Sequence, residues 1–273
     1  MIYEILDVQS PYEIIDVAFD KGYAVFKRFD SSYGLIKSYP HSAFALDQKG
    51  ILAAVYQDLS TKLVNSLISP IIMKYENFGA AFTHITPDQK DPKSLKHLRG
   101  HTDGAFLHFP TEKPLSKLQI PELIGLYCIR NPGNVCTTVY PLDDVLDGLP
   151  DIHIDTLLGE NYLIGIQASW NMPRSFILHE RPRSLLAIDK VSGKYFVRFS
   201  HSKVLPLSPK AKLALNFFKD RLPLHEKNIS LIAGDLLIIN NMRSIYGRST
   251  APNEDSVTAR RRWLLRFYAR SIR

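Results

Sequence analysis

Apolar and polar positions alternate along this chain in two rhythms. Leu52, Val55, Leu59, Leu63 and Leu67 recur at steps of three and four, which predicts a helix over residues 50–70. Before it, residues 11–35 read as a short helix followed by a strand at Gly22-Tyr23-Ala24-Val25-Phe26-Lys27-Arg28, where β-branched and aromatic side chains gather. Beyond residue 120 the runs are short and strand-like, at 123–130, 135–140, 162–169, 184–188, 195–200, 229–231, 235–240 and 264–268. One strong helix interrupts them. Ser208 can cap it, Pro209 suits its first turn, and Leu213, Phe217 and Leu222 would form its apolar stripe. Residues 84–99 are polar, hold Pro87, Pro92 and several lysines, and read as a mobile loop. Neither repeat, low-complexity tract nor linker divides the chain, so a single domain over residues 1–273 is expected. Many short strands between turn signals predict a β-sandwich or jelly roll buttressed by a few helices.

Composition narrows this picture without redirecting it. At 45% hydrophobic and 22% charged, 273 residues can bury a sizeable core. No apolar run approaches the ~20 residues of a spanning helix, and Met1-Ile2-Tyr3-Glu4-Ile5-Leu6-Asp7 lacks the basic start of a signal peptide. A soluble, cytoplasmic protein without a membrane partner is the expectation. The two cysteines, Cys128 and Cys136, read as small core residues rather than a disulfide framework. The formal charge is +7, and six arginines fall within residues 260–273. The other basic residues are scattered and no interleaved aromatic platform accompanies them, which argues against nucleic acid. Some of those arginines are better read as anion ligands inside a site, with Arg260 and Arg261 solvated.

Chemistry concentrates at two places. Gly100-His101-Thr102-Asp103-Gly104-Ala105-Phe106 offers an imidazole and a carboxylate two residues apart, a spacing that turns both toward one metal at a strand end. Far downstream comes Gly234-Asp235-Leu236-Leu237-Ile238-Ile239-Asn240-Asn241-Met242-Arg243-Ser244-Ile245-Tyr246-Gly247-Arg248, and then Arg260-Arg261-Arg262-Trp263-Leu264-Leu265-Arg266. Taken together these segments resemble the taurine dioxygenase and clavaminate synthase-like family of non-haem Fe(II), 2-oxoglutarate-dependent oxygenases, within its amino-acid-hydroxylating subgroup. The resemblance runs through residues 95–270 and implies a distorted double-stranded β-helix, or jelly roll.

Residue by residue, the resemblance makes His101 and Asp103 metal ligands. It places Tyr246 where the family carries its second histidine ligand. A 2-His-1-carboxylate triad leaves positions open for 2-oxoglutarate and oxygen. A phenol, with an ordinary pKa near 10, must lose a proton to coordinate well. Three readings follow: Tyr246 stays off the metal of an active two-ligand site, coordinates it with altered chemistry, or marks a decayed site that binds a small ligand. His108, His201 and His225 are other imidazoles in the chain, with structural roles expected. Thr137, or Thr138 beside it, matches the family's 2-oxoglutarate threonine. Arg262 would hold the distal carboxylate, its planar fork suiting bidentate contact. Arg266, four residues on, would reinforce Arg262 or face the substrate. The implied cofactors are Fe(II) and 2-oxoglutarate. The implied substrate is an amino acid or similar small molecule, free or carrier-bound, oxidised in natural-product biosynthesis. Specificity would sit in loops 84–99 and 168–182, with Trp170, Asn171, Arg174 and Phe176 placed there only by location.

Overall fold

The computed structural model describes residues 7–8, 13–29, 51–65, 68–87, 92–113, 118–173, 181–251 and 257–272. Its elements run β1 (Asp7–Val8), α1 (Glu13–Lys21), β2 (Tyr23–Phe26), α2 (Ile51–Asn65), β3 (Ile68–Ile71), β4 (Phe82–Ile85), β5 (Leu98–His101), β6 (Leu123–Arg130) and β7 (Thr137–Pro141). They continue with α3 (Leu142–Leu146), α4 (Asp151–Leu158), β8 (Tyr162–Ile164), β9 (Leu186–Ile188), β10 (Tyr195–Val197), β11 (Val204–Pro206), α5 (Pro209–Arg221), β12 (Lys227–Ile229), β13 (Leu236–Asn240), β14 (Ser244–Arg248) and β15 (Trp263–Ser271). A seven-stranded sheet has the order β1-β2-β13-β6-β15-β3, with β4 also on β15, and a four-stranded sheet has the order β12-β7-β14-β5. Apart from the parallel pair β1–β2, the strands of both sheets pair antiparallel.

Strand alternation divides the core in two. On the large sheet Trp263, Leu265, Phe267, Tyr127, Ile129, Leu236 and Ile238 face α1 and α2, where Ile14, Ile15, Ala18, Leu59 and Leu63 are fully or almost fully buried. Gly125 gives its space on that face to the ring of Phe267, its partner across β15. The alternate residues, Leu264 and Tyr268 of β15 with Ile124, Leu126 and Cys128 of β6, join the core shared with Val139 and Tyr246 of the small sheet. Position 266 has the same parity as 264 and 268, which sends the Arg266 guanidinium into that interior.

Two expectations need correcting. α5 begins as the sequence indicates, with Ser208 Oγ accepting from Ala211 N and Pro209 in the first turn. Of the expected stripe only Leu222, at the C-terminal cap, is buried; Ala211, Ala214, Leu215 and Phe218 are covered instead, whereas Leu213 and Phe217 are 51% and 44% exposed. The small alanines let α5 close onto α4 and β11, with Leu215 and Phe218 filling the interface between them. Residues 84–99 are not one loop, since they contain the end of β4, a short 3-10 turn at Pro92–Leu95 and most of β5. Arg174, Phe176 and Leu67 lie outside the described residues, as do the side chains of Leu52 and Val55.

Candidate active site

The site lies between the two sheets, where the end of β5 meets β14. The two strands pair with His101 directly opposite Tyr246. That register places position 246 against the His-X-Asp segment without any gap in the reading of residues 234–248. The segment is fixed by its backbone. Asn241 Oδ1 accepts from Asp103 N at 2.9 Å, and Asn241 Nδ2 donates to the oxygens of Asp103 and Pro121 at 2.9 and 3.0 Å. On the other side Gln167 Nε2 donates to Thr102 O at 3.0 Å, and Gln167 Oε1 accepts from Gly104 N at 2.7 Å. Gly104 makes the turn with φ +67°, in the left-handed region that glycine enters without strain. Behind it, buried Arg198 forks onto Glu112 at 2.6 and 2.9 Å and donates to Leu107 O at 3.0 Å, bracing the chain after residues 101–104.

His101 is presented in one tautomer. Its Nδ1 lies 3.2 Å from Arg99 O, a pure acceptor, so Nδ1 carries the proton and Nε2 carries a lone pair. Burial holds the imidazole below its ordinary pKa, against the pull of Asp103, which keeps it neutral near pH 7. Nε2 faces Asp103 Oδ1 at 3.7 Å. Burial would raise the pKa of Asp103, but the Arg266 guanidinium and the Tyr246 and Tyr268 hydroxyls hold it below the ordinary value. His101 Nε2 and Asp103 Oδ1 are thus two possible metal-donor atoms turned toward each other. Donor atoms at right angles around an ion with bonds of about 2.1 Å lie about 3 Å apart, so a small approach of the two side chains would let both grip one cation. Among the described residues no third His, Cys, Asp or Glu completes a metal-binding group with them.

Asp103 Oδ2 is fully occupied. It accepts from Tyr246 Oη at 2.8 Å, Tyr268 Oη at 2.9 Å and Arg266 Nη1 at 3.0 Å. Burial, with the charge of Asp103 added, pushes the Tyr246 phenol well above its ordinary pKa near 10. As placed, Tyr246 is a neutral phenol that donates to Asp103, its ring 4.5 Å from that of His101. Such a donor fixes the orientation of the Asp103 carboxylate.

Thr137 and Arg262 meet across the interior, both nearly fully buried, with Arg262 Nη2 donating to Thr137 Oγ1 at 3.3 Å. Alternation on β7 sends Thr137 to the side of Val139, which pairs with Tyr246, and sends Thr138 the other way with Tyr140. Arg266 is not beside Arg262. Four residues of near-extended chain span about 13 Å, and Arg266 is instead held by Asp103 and by Glu76, whose Oε1 accepts from Arg266 Nη2.

Glu76 was not singled out by the sequence. It is 1% exposed and sits at a turn whose next residues, Asn77 and Phe78, have φ of 43° and 57°. Strain of that kind persists where surrounding structure enforces it. Asn77 Nδ2 bonds both Glu76 Oε1, at 2.6 Å, and Thr83 Oγ1, at 3.2 Å. Burial and the nearby Asp103 raise the pKa of Glu76 against the opposing pull of Arg266. No motif marks this turn; an acid followed by Asn-Phe-Gly is the only local signal. Tyr268 was likewise missed, being one aromatic among several on β15.

His101, Asp103 and Arg266 line a cavity of about 640 Å³ together with Gln167, Ser169 and residues of 97–99 and 200–203. Of the other imidazoles, His201 reaches this cavity but bonds Arg99, His108 pairs with Glu112, and His225 meets Arg221.

No protein-family model matches the chain, and no curated protein does. Solved structures do match. Asparagine oxygenase in complex with Fe(II), 2S,3S-3-hydroxyasparagine and succinate aligns with TM-score 0.74 at 19% identity, over 94% of this chain and 78% of that one. The non-heme iron oxygenase OrfP with Fe, succinate and (3R,4R)-dihydroxy-L-Arg aligns with TM-score 0.73 at 22% identity, over 93% and 77%. OrfP with Fe and alpha-ketoglutaric acid gives 0.71 at 22%, over 94% and 77%. This chain therefore has the fold of these non-haem iron amino-acid oxygenases.

Proposed function

We propose that the protein is an Fe(II)/2-oxoglutarate-dependent oxygenase that oxidises an amino acid or a close analogue, its two facing sheets forming a distorted jelly roll. One observation carries the reading: His101 Nε2 and Asp103 Oδ1 face each other at 3.7 Å beside a cavity. An imidazole nitrogen and a carboxylate oxygen so placed suit a ferrous ion, which would satisfy both. His101 and Asp103 would hold the metal, and Tyr246, Tyr268 and Arg266 would fix the carboxylate from behind. Bound iron with 2-oxoglutarate would supply the oxygen activation that protein side chains lack. Arg262 would take the distal carboxylate of 2-oxoglutarate with Thr137 beside it, since a buried guanidinium calls for an anion.

Arg266 and Glu76 suit the substrate. A buried guanidinium beside a buried carboxylate is complementary to the carboxylate and ammonium of a free amino acid, which would insert between them. This takes up the second of the two roles expected for Arg266. The binding-only alternative draws support from Tyr246 alone, and a phenol donating to Asp103 leaves Oδ1 open. The test is conversion of 2-oxoglutarate to succinate by the Fe(II)-loaded protein with a panel of L-amino acids, following products for gain of one oxygen atom. Turnover stimulated by one member supports the reading. If no succinate forms with any of them while 2-oxoglutarate binds, an oxygenase of free amino acids is ruled out.

A further inference from the structure

The cavity has a basic outer wall, made where two segments run side by side. β5 and the turn after β10 are joined by Thr102 N donating to Phe199 O at 2.7 Å and His201 N donating to Gly100 O at 3.2 Å. His97, just before β5, and Arg99 within it line the cavity beside His101. Across from them stand His201 and Lys203. Arg99 Nη1 lies 3.3 Å from His201 Nδ1. Lys219 of α5 adds its charge: after burial, Lys219 and Arg99 are the main influences lowering the pKa of His201, and Arg99 also lowers that of Lys219. These groups repel one another. Among the described residues, Arg99, Lys203 and Lys219 form no ion pair, and the one acid lining the cavity is Asp103, whose charge Arg266 already meets. Ser169, Ser200, Ser202 and Gln167 supply neutral polar groups around them.

An excess of one sign along a concave wall focuses potential on whatever enters, and an anion there would relieve the repulsion with charge-assisted hydrogen bonds. Resting on the oxygenase reading, we propose that the substrate carries an anionic group, a carboxylate or a phosphate, on the end that points away from Glu76 and Arg266. Arg99 and Lys203 are its principal partners and so determine specificity.

The test is titration calorimetry on the full chain, anaerobic with Fe(II) and 2-oxoglutarate, using L-glutamate against L-glutamine, O-phospho-L-serine against L-asparagine, and L-arginine. The anionic member of a pair should bind about tenfold tighter, the order of one charge-assisted hydrogen bond in a partly open site. That preference should shrink as salt is raised and disappear in Arg99→Gln/Lys203→Gln. Which pair shows it tells carboxylate from phosphate. Equal affinities within both pairs, or a preference for L-arginine, overturn the proposal. Weaker 2-oxoglutarate binding in the double variant with the anionic preference intact would assign these cations to the cosubstrate and overturn it too. If no probe binds while 2-oxoglutarate does, the inference fails and the oxygenase reading stands; if 2-oxoglutarate does not bind, both fall.

Discussion

Replacing Tyr246 by phenylalanine removes a single hydroxyl and separates two roles for this residue. The hydroxyl is one of three donors on Asp103 Oδ2, at 2.8 Å beside 2.9 and 3.0 Å for Tyr268 and Arg266. A hydrogen bond to a charged group contributes about 1.5–3 kcal/mol. Oδ2 keeps two donors in Tyr246→Phe, so the carboxylate is not orphaned and the loss belongs near the lower end, about 1.5 kcal/mol. For a domain of this size that lowers Tm by about 4 °C, readable by differential scanning fluorimetry of the metal-free protein. Iron should respond little. Losing an outer-shell partner typically weakens a metal site by about 10–100-fold, but here Arg266 and Tyr268 still orient Asp103, and withdrawing a donor leaves more negative charge for the metal. Anaerobic Fe(II) titration should therefore give an affinity within about tenfold of the parent. A larger drop would mean that the phenol oxygen itself binds iron, which refutes the placement of Tyr246 as a donor to Asp103. Tyr246→His extends the test: a neutral imidazole opposite His101 offers a third ligand and should strengthen Fe(II) binding, and an unchanged affinity would show that position 246 does not face the metal.

Three further outcomes follow from the same geometry. Arg262→Ala should weaken 2-oxoglutarate binding by about tenfold or more, since a buried carboxylate loses its charged partner, with Fe(II) affinity kept; unchanged 2-oxoglutarate affinity in calorimetry would remove this assignment. Glu76→Gln should cost amino-acid binding by a similar factor while Fe(II) and 2-oxoglutarate still bind, and loss of all three together would mean that Glu76 is structural. Arg198 holds Glu112 below its usual pKa near 4.5 although burial works the other way. A depressed carboxylate contributes stability above its unfolded pKa and loses it as pH falls through the folded value. The stability advantage of the parent over Glu112→Gln in urea melts should be full at pH 6 to 7 and shrink below about pH 4.5; an advantage that grows on acidification would reverse the sign of the argument.

How far the sequence could be read depended on where the signal was local. β6 coincides with its predicted span, because Leu123–Arg130 is apolar on both faces and each face has a partner layer. The cap at Ser208 was legible because capping is a contact within one turn. The buried face of α5 was not, since alanines pack closely and two larger residues were left in water. His101, Asp103, Thr137 and Arg262 could be named from motifs, and alternation on β7 then favoured Thr137 over Thr138. Arg266 was named without its partners, because the acids that hold it come from positions 163 and 190 residues away. Glu76 carried no motif at all; its role follows from a strained turn brought against β15 by the tertiary fold. The basic wall at Arg99 and Lys203 was hidden for a similar reason, as it exists only where two distant segments pair.

The central claim is that His101 and Asp103 suffice to seat an iron that accepts 2-oxoglutarate. Anaerobic titration of the purified metal-free protein with Fe(II) and then 2-oxoglutarate, followed by visible absorption, tests it most directly. Chelation of 2-oxoglutarate to protein-bound Fe(II) gives a weak metal-to-ligand charge-transfer band, and the account predicts that this band appears, saturates with one iron per chain, and is absent in Asp103→Ala. No band, with no iron retained by the protein, would contradict it.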